Sequence, residues 1–357
     1  MARELRVALI GYGLGGRAFH APLIAVTPGL RLATIVTSNA ERRAEASRTF
    51  PAVHIADSAD WVWANAGAHD LAVITTPNRF HVPLARAAIA ARIAVVVDKP
   101  LAATSREARD VVDEARRQGV PLTAYHNRRW DGELLTAQKL IASGELGEIS
   151  RFESRLDRWR PGPPPAVWRE GGAPEDAGGI LYDLGPHLLD QARVLFGPVA
   201  QLYSELDRRR PGVAVEDDVF IALKHANGVH SHLWASSVAA QPGPRLRVMG
   251  SKAAYIKEHT DVQEAMLRAG TLPDAAGFGE DPRERWGLLG AGTDARPVQT
   301  EKGNYRRFYE LAAAWLRDGG EPPVNPEDAV AVLELIEAAR VSSGEGRTVC
   351  GAGSGFM

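Results

Sequence analysis

In the first third of the chain, short apolar runs alternate with segments that have helical spacing. The apolar runs, rich in β-branched residues, occupy 6–10, 30–37, 53–55, 71–75, 95–97 and 122–124. Helical segments are predicted between them, at 17–26, 40–50, 59–64, 81–91 and 105–118. Strands that alternate with helices indicate right-handed βαβ units on a parallel sheet. Because such sheets bind ligands beyond the carboxyl ends of their strands, the residues that follow each strand are the first candidates for a site.

After about residue 125 the pattern changes to alternating apolar and polar positions. This period of two predicts strands at 149–157, 199–206, 219–225, 229–236 and 245–249. Helices are predicted at 133–143, 186–196, 304–317 and 326–341, with irregular segments at 160–179 and 274–296. Strands without regular helical crossovers indicate an antiparallel or mixed sheet. The sequence therefore predicts an α/β domain over 1–124 and an α+β domain over 125–357, built on an open, mostly antiparallel or mixed β-sheet.

The composition narrows the range of partners. The chain has 357 residues, a formal net charge of -2 and a single cysteine, Cys350. A length above about 250–300 residues favours two domains. The small net charge gives no reason to expect nucleic acid or a membrane as a partner, and no apolar run approaches the ~18 residues of a membrane helix. One cysteine excludes an internal disulfide framework and a cysteine-rich zinc site, so we predict a cytoplasmic protein without a metal.

The first apolar run leads directly into a glycine-rich turn. Gly11, Gly13 and Gly16 match the spacing Gly-x-Gly-x-x-Gly between a strand and a helix. In that context the glycines allow a tight turn, a close approach to a pyrophosphate and close helix–strand packing, while the helix N-terminus offers N–H groups to the phosphates. The first domain is therefore predicted to be a Rossmann domain. Cofactor contacts are predicted at Gly11, Gly13, Leu14, Gly16, Thr76, Pro77, Asn78, His81, Asp98 and Lys99.

The end of the second strand predicts which dinucleotide is bound. Sites that prefer NAD place a carboxylate there, ~20 residues after the glycines, to bind the ribose 2′-hydroxyl. This chain has Ser38 instead, followed by Arg42 and Arg43 at the start of the next helix. A hydroxyl and a guanidinium suit a 2′-phosphate, so NADP is predicted over NAD. The alternative is that both arginines are exposed helix residues without a ligand.

Two separated segments carry the candidate catalytic residues. Lys99 follows the fifth strand in Asp98-Lys99-Pro100, and Asp183 and His187 are four residues apart near the start of a predicted helix. Oxidation of an alcohol needs a base for the hydroxyl proton while hydride leaves from carbon, and a carboxylate beside an imidazole raises its basicity. Only a cleft between domains would bring Lys99 to the other two. In isolation, Asp183 would more often be a helix cap and His187 a buried structural histidine.

These motifs, in this order, resemble those of the Gfo/Idh/MocA family of oxidoreductases. That family has a glycine turn, Glu-Lys-Pro, and Asp-x-x-x-His on a helix of the second domain; this chain has Asp98 in place of the glutamate, which keeps the carboxylate. The sequence is similar to those of the family branch that contains NADP-dependent scyllo-inositol 2-dehydrogenases, and the segments that carry this similarity are 19–23, 126–131, 157–161, 168–170 and 182–191. The resemblance implies that Lys99, Asp183 and His187 are catalytic. The substrate-binding residues that it implies are Asn127, Asp157, Trp168, Arg169, Asp183 and His187.

The predicted function is hydride transfer between NADP and a hydroxyl or ketone of a cyclic polyol or sugar. An aldose or keto-sugar reductase and a non-catalytic NADP-binding sensor are the alternatives. Few helices accompany the predicted strands of the second domain, so one sheet face is expected to be bare. A bare apolar face favours pairing, and we expect a two-fold homodimer through it, or a tetramer. His225, His230 and His232 lie close together, but no carboxylate or cysteine joins them at ligand spacing.

Overall fold

The computed structural model describes residues 3–165 and 167–351. Over these ranges the chain forms two compact units. The first contains the residues up to Asn127 together with Gln263–Phe278 and Asn304–Val330; the second contains Arg128–Val262, Gly279–Gly303 and the residues from Ala331 onward. The predicted division after residue 124 does not match these units, because Gln263–Phe278 and Asn304–Val330 follow that boundary in the chain but belong to the first unit. As a boundary between functional domains, it stays a prediction.

The first unit is built on a parallel sheet. Its strands are β1 (Leu5–Ile10), β2 (Leu30–Val36), β3 (His54–Ala56), β4 (Leu71–Ile74), β5 (Ala94–Asp98) and β6 (Leu122–Tyr125). Among the described residues they form a six-stranded sheet in the order β3-β2-β1-β4-β5-β6. In the centre, Leu9 lies opposite Ile35 on one side and Val73 on the other. All three are fully buried, as expected for a parallel sheet with both faces covered, and the predicted α/β fold is confirmed.

The second unit is built on a larger, mixed sheet. Its strands are β7 (Ile149–Asp157), β8 (Val199–Asp207), β9 (Asp218–His225), β10 (His230–Ser236), β11 (Leu246–Gly250), β12 (Ala254–Lys257), β13 (Gly287–Ala291), β14 (Asp294–Val298) and β15 (Val349–Cys350). Within the described part of the chain they form a nine-stranded sheet in the order β14-β13-β12-β11-β7-β10-β9-β8-β15. The pair β7–β10 is parallel and its neighbours are antiparallel. The predicted mixed sheet is confirmed.

Two strands of this sheet occupy a segment that was predicted to be irregular. β13 and β14 pair as an antiparallel hairpin, and β13 also pairs with β12. The glycines of β13 and Pro297 in β14 weaken the local strand signal. Proline is tolerated in an edge strand, where one side of the backbone has no partner strand. The prediction for 274–296 was therefore wrong over its second half, because pairing with β12 outweighs the local sequence.

The helices follow the predicted spacing closely in the first unit. They are α1 (Ala21–Val26), α2 (Ala40–Thr49), α3 (Ala59–Ala64), α4 (His81–Ala90), α5 (Ser105–Gln118), α6 (Gly132–Ala142), α7 (Ile180–Phe196), α8 (Gln263–Arg268), α9 (Arg306–Asp318) and α10 (Pro326–Glu345). α5 has its predicted bounds because Thr104 Oγ1 accepts the N–H of Glu107 at 3.2 Å and Gly119 ends it at φ 63°. Over the described residues, none of these helices is long and apolar enough to cross a membrane.

Two helix starts differ from the prediction. The glycine turn continues into a π-helical turn at Gly15–His20, in which the N–H of Ala21 reaches the carbonyl of Gly16, and only then does α1 begin. α7 begins at Ile180, six residues before the predicted start at Pro186. The prediction placed Pro186 in the first turn, where proline is most common, but here it lies inside the helix. Asp183 is therefore part of α7, with its N–H bonded to Gly179 O at 3.0 Å.

The two faces of the second sheet differ. Side chains of β7 and β10 such as Phe152, Ser154 and Leu233 are fully buried, and Phe152 contacts Phe196 of α7. The opposite side carries partly exposed aromatic residues. Phe220 and Trp234 lie with ring centroids 5.2 Å apart, and the Arg155 guanidinium stacks 3.8 Å from the centroid of Trp234. We call this second side the outer face.

Candidate active site

The glycine turn is packed as closely as a dinucleotide site requires. Gly11 adopts φ 104°, and a Cβ there would lie 2.6 Å from Thr75 O. A Cβ on Gly16 would lie 2.2 Å from Gly11 O. Neither position accepts a larger residue without moving the backbone, because both distances are far below van der Waals contact. Gly11 and Gly16 thus provide the tight turn and the close helix–strand packing of a dinucleotide site, so the residues present fit that cofactor.

The structure shows that Arg42 and Arg43, which the sequence did not distinguish as phosphate ligands, have different surroundings. Arg42 Nη1 lies 3.9 Å from the point that a Cβ on Gly13 would occupy, so its guanidinium extends toward the glycine turn. Arg43 forms an ion pair with Asp57. Ser38 is exposed, and α2 begins after Asn39, whose side chain accepts the N–H of Arg42 at 3.0 Å. Arg42, rather than Arg43, has the better placement for an anionic group near the turn.

His81, a predicted cofactor contact, is held by two backbone carbonyls. Its ring is buried, with Nδ1 2.8 Å from Pro100 O and Nε2 2.9 Å from Thr76 O. Burial lowers the pKa of His81. The ring joins the turn after β4 to the turn after β5, so it positions both turns. Of the remaining predicted cofactor residues, Leu14 is exposed, Thr76 and Pro77 are half-buried, and Asn78 is buried.

The segment Asp98-Lys99-Pro100 forms a tight turn at the end of β5. Asp98 Oδ1 accepts the N–H of Lys99 at 2.8 Å, and the Lys99–Pro100 peptide bond is cis. Burial alone would raise the pKa of Asp98, but His20, Lys99 and His81 outweigh it and hold that pKa at about 2. Lys99 is half-buried and is the single lysine in the first 127 residues of the sequence. The other long cationic side chains of that segment are all arginines, so the lysine directly after β5 is distinctive.

His20 belongs to this part of the site. Its Nε2 lies 3.6 Å from Asp98 Oδ2, and its Nδ1 lies 2.5 Å from the hydroxyl of Tyr309. The ring is fully buried, with its centroid 4.2 Å from that of Tyr125. His20 is therefore a core residue that also contacts a carboxylate in the turn that carries Lys99.

In the second unit, α7 presents the two other predicted catalytic residues. Asp183 and His187 are one helical turn apart and therefore on the same side of α7. The guanidinium of Arg158 lies 3.8 Å from Asp183 Oδ2, and that of Arg169 lies 3.8 Å from Asp183 Oδ1. Asp183 is thus flanked by two cations. The sequence did not anticipate Arg158, because nothing in its local spacing relates it to α7.

The turn of α7 that follows His187 is clamped in place. Arg129 binds Asp190 with both arms of its guanidinium, at 2.9 Å and 2.6 Å. Gln191 Nε2 donates to Arg128 O at 3.0 Å, and Arg245 Nη2 donates to Gln191 Oε1 at 2.9 Å. Bidentate guanidinium–carboxylate pairs fix geometry as well as distance. These contacts set the rotation of α7 about its axis, and with it the direction of His187.

The predicted substrate residues fall into three groups. Arg169 lies beside Asp183, and its guanidinium stacks 4.4 Å from the ring centroid of Trp168. Asp157 is on the outer-face side of β7, since it alternates with Ser154 and Leu156, which face α7. Burial is the main cause of the raised pKa of Asp157, which Arg155 opposes. The structure therefore does not bring Asp157 to Asp183. Asn127 belongs to the first unit, at the start of a short 3₁₀ turn.

A buried arginine holds the loop that carries Trp168 and Arg169. Arg210 Nη2 donates to Glu170 Oε2 at 2.8 Å, and its Nε donates to Asp217 Oδ2 at 2.8 Å. A run of charges such as Arg208-Arg209-Arg210 is typical of a solvated turn, but Arg210 is buried. Its side chain is 4% exposed. The carboxylates that bury it are 40 and 7 residues away along the chain, so charge spacing gave no signal.

The described residues contain no group of three or more His, Cys, Asp or Glu placed to hold a metal ion. The clustered histidines have other partners. His225 Nδ1 lies 3.0 Å from Gly197 O and its Nε2 lies 2.8 Å from Ser231 Oγ. His232 lies on the outer face, with its ring centroid 6.0 Å from that of Phe220.

Family models match both units of the chain. A model described as an oxidoreductase family, NAD-binding Rossmann fold, matches residues 5–126. A model described as an oxidoreductase family, C-terminal alpha/beta domain, matches residues 138–350. Together they span most of the chain.

Individual relatives match over nearly the full length. Oxidoreductase YdgJ of Escherichia coli (strain K12) is 39% identical over 354 residues, covering 98% of this chain and 99% of that relative. The scyllo-inositol 2-dehydrogenase (NADP(+)) IolW of Bacillus subtilis (strain 168) is 34% identical over 349 residues, covering 97% of this chain and 95% of that relative. Among solved structures, the oxidoreductase yvaA of Bacillus subtilis has a TM-score of 0.91 at 34% identity, with 98% of each chain covered.

Proposed function

Because the chain belongs to the Gfo/Idh/MocA family of oxidoreductases, we propose that it is an NADP-dependent dehydrogenase or reductase of a cyclic polyol or sugar. The placement of Asp183 and His187 on one side of α7 carries this proposal most directly. A protein that only bound the dinucleotide would need neither residue. The similarity to the scyllo-inositol 2-dehydrogenase (NADP(+)) of Bacillus subtilis supports the substrate class and the cofactor.

The choice of NADP over NAD rests on the end of β2. No carboxylate is available there to bind a ribose 2′-hydroxyl, and Ser38 is exposed. Arg42 extends toward the glycine turn, and α2 presents its N-terminus in the same region. Guanidinium and hydroxyl groups are suitable partners for a phosphate that carries up to two negative charges.

In the proposed reaction, each residue has one task. The bound nicotinamide supplies the acceptor for the hydride that leaves the substrate carbon. His187 accepts the hydroxyl proton, the general-base role that imidazole most often has in enzymes. Lys99 donates a hydrogen bond to the same oxygen and stabilises its developing charge. Asp183 accepts a hydrogen bond from a neighbouring hydroxyl. The alternative assignment exchanges the tasks of Lys99 and His187, and the variant Lys99→Arg distinguishes the two assignments.

The proposal is tested with a panel of inositols and aldoses, each offered with NADP and with NAD. Reduction of the cofactor is followed by its absorbance. We expect turnover of at least one cyclic polyol or sugar, faster with NADP. If no member of the panel is turned over while NADPH still binds, as measured by its fluorescence, the enzyme proposal fails and an NADP-binding sensor becomes the better interpretation.

A further inference from the structure

His20 lies at the junction between the glycine turn and α1. The segment Gly15–His20 forms a π-helical turn, in which the N–H of Ala21 donates to the carbonyl of Gly16. Such π-helical turns are rare and often lie at functional sites. The ring of His20 is fully buried at the end of this turn, yet the proposed reaction gives it no task. Its contacts therefore decide whether it only fills the core or serves the site.

Both ring nitrogens of His20 are directed at polar groups of the first unit. Nδ1 lies 2.5 Å from the hydroxyl of Tyr309, and Nε2 lies 3.6 Å from Asp98 Oδ2. Burial raises the pKa of Tyr309 well above its ordinary value, so the hydroxyl keeps its proton and donates it in a hydrogen bond to Nδ1. The ring proton is then on Nε2, where it is directed at the carboxylate. The contacts thus assign the tautomer of His20.

Asp98 connects His20 to Lys99. Its Oδ1 accepts the N–H of Lys99 at 2.8 Å, while its Oδ2 faces His20. Burial opposes the charge of Asp98, but His20 and then Lys99 hold the pKa of this carboxyl at about 2, so an ionised carboxylate acts on the charge of Lys99. Oδ2 also lies 3.3 Å from the point that a Cβ on Gly15 would occupy. One carboxylate thus packs against the glycine turn and against the turn that carries Lys99.

From this arrangement we propose that His20 is a positioning residue for Lys99 and acts through the carboxylate of Asp98. The proposal rests on the proposed dehydrogenase function, in which Lys99 stabilises the developing charge on the substrate oxygen. Tyr309 fixes the ring of His20, the ring N–H orients Asp98 Oδ2, and Asp98 Oδ1 holds the backbone of Lys99. A misplacement of about 1 Å at a reacting group slows a reaction by roughly a hundredfold, so an indirect contact of this kind has a measurable effect on rate. In this role His20 transfers neither a proton nor a hydride.

The alternative is a core-filling role, since the ring centroid of His20 lies 4.2 Å from that of Tyr125. His20→Leu and His20→Gln separate the two roles, because the new side chains have similar size but only glutamine keeps an N–H group for Asp98. Each variant is assayed with NADP and a substrate from the panel of inositols and aldoses. The measured kcat is divided by the number of NADPH-binding sites, determined by fluorescence, so that unfolded protein does not contribute to the difference.

If His20 positions Lys99, kcat per site should fall roughly ten- to a hundredfold in His20→Leu, and His20→Gln should recover most of that loss. If His20 only fills the core, His20→Gln should be the more impaired variant, because it buries an amide in place of an apolar side chain. His69→Leu is the matched control. His69 is a buried histidine of the same unit that contacts Thr34 and Asn65, and its loss should leave kcat per site unchanged.

A double variant locates the effect at Lys99. In the Lys99→Ala background, adding His20→Leu should change kcat by less than about twofold, because the group that His20 positions is already absent. Effects that multiply would show that His20 acts independently of Lys99, and they would overturn the proposal.

A signal from Lys99 itself tests the proposal without turnover. The lysines of the NADP-loaded protein are reductively methylated with isotope-labelled formaldehyde and observed by NMR, and the Lys99 signal is identified by its loss in Lys99→Arg. We expect this signal to shift in His20→Leu and to return toward its parent position in His20→Gln, while the signal of the exposed Lys139 in the second unit stays unchanged. An unchanged Lys99 signal in His20→Leu would overturn the proposal. If the signal responds as expected but no member of the panel is turned over, the positioning role remains and the dehydrogenase proposal fails.

Discussion

The candidate residues of the two units are positioned in different ways. In the first unit, the candidate residues lie in turns directly after β1, β2, β4 and β5, so the parallel sheet itself brings them to one edge. In the second unit, Asp183 and His187 lie on a helix, and their neighbours Arg158 and Arg169 come from the end of β7 and from a long loop. The first arrangement depends mainly on the backbone. The second depends on side chains that are far apart in sequence.

This difference determines how each unit tolerates change. Gly11 and Gly16 cannot carry a Cβ, so the first unit is sensitive to the shape of its turns. Arg129–Asp190 and Arg210–Glu170 hold the second unit, so it is sensitive to loss of single charges. Breaking a buried ion pair from one side leaves an uncompensated charge, which is strongly destabilising. The predictions below change one unit at a time.

The largest expected effect comes from removing one catalytic candidate from each unit. Lys99→Ala and His187→Ala should each lower kcat by roughly 10²–10⁴, because general acid–base groups contribute about that much. NADPH binding, measured by fluorescence, should stay near the parent value for His187→Ala. His259→Ala, an exposed histidine of the second unit, is the matched control and should leave kcat unchanged.

A conservative variant then separates the two tasks. Lys99→Arg keeps a hydrogen-bond donor but cannot give up a proton near neutral pH. If Lys99 only donates a hydrogen bond, this variant should recover part of the activity lost in Lys99→Ala. If Lys99 is the proton acceptor, Lys99→Arg should be as slow as Lys99→Ala. Near-parent turnover in both Lys99→Ala and His187→Ala would show that the site is elsewhere.

The next effect tests the first unit alone. Ser38→Asp should lower kcat/KM with NADP by roughly ten- to a hundredfold, since a carboxylate repels the 2′-phosphate, and should favour NAD. Arg42→Gln should weaken NADP use in the same direction. Arg43→Gln should have a much smaller effect, because Arg43 pairs with Asp57. Equal use of NAD and NADP by the unmodified protein would contradict this assignment.

The contrast between the units also explains what could be predicted from the sequence. Continuous apolar runs and helix caps are local signals, so the first sheet was predicted and α5 was assigned its observed bounds of Ser105–Gln118. The start of α7 was not predicted correctly, because proline is usually found in the first turn of a helix, whereas Pro186 lies inside this one. The hairpin β13–β14 was missed because its strands depend on pairing with β12.

Charge partners were the least predictable part of the site. The motif residues Asp183 and His187 could be selected from the sequence, because a carboxylate and an imidazole four residues apart share one side of a helix. Arg158 could not, since it approaches Asp183 across 25 residues of chain that include a Pro- and Gly-rich loop. The burial of Arg210 could not be predicted either, because its partners Asp217 and Glu170 are 7 and 40 residues away. Only the folded chain shows which charges meet.

A third prediction concerns the outer face of the second sheet. We propose that two copies of the chain pair through this face, where Phe220, Trp234 and Arg155 form a partly exposed cluster. Trp234→Glu should weaken the dimer by roughly thirtyfold, about 2 kcal/mol, as expected for an aromatic residue at the centre of an interface. Light scattering should then show a 38.5 kDa particle at concentrations where the parent is twice that mass.

The control for this experiment is an exposed apolar residue of the first unit. Leu272 is 58% exposed and is not part of the second sheet, so Leu272→Glu should leave the mass of the particle unchanged. A parent protein that stays at 38.5 kDa at micromolar concentration would contradict the dimer. An assembly of four chains would fit a dimer that pairs again through another surface.

The smallest expected effect compares two carboxyls, the half-buried Asp98 of the first unit and the buried Glu133 of the second, whose pKa values move in opposite directions. Asp98 has its pKa held at about 2, so its contribution to stability is present above pH 3.8 and is lost as pH falls through about 2. Burial, together with the neighbouring Asp131, raises the pKa of Glu133 from 4.5 to about 7 against the opposing charge of Arg245. Its contribution is therefore complete below pH 4.5 and is lost as pH rises through about 7.

Of these two carboxyls, only that of Glu133 should change its protonation between pH 5.5 and pH 8. The fall in Tm over that range should therefore be smaller in Glu133→Gln than in the parent protein. The expected reduction is about 2–4 °C, the shift that ~1 kcal/mol produces in a domain of 150–250 residues. Glu145→Gln, at an exposed glutamate that pairs with Arg296, is the matched control and should keep the parent's pH dependence. An unchanged pH dependence in Glu133→Gln would mean that Glu133 stays ionised throughout, held by Arg245 Nε at 3.1 Å. The second unit would then resemble the first, with its buried carboxyl kept charged by a neighbouring cation.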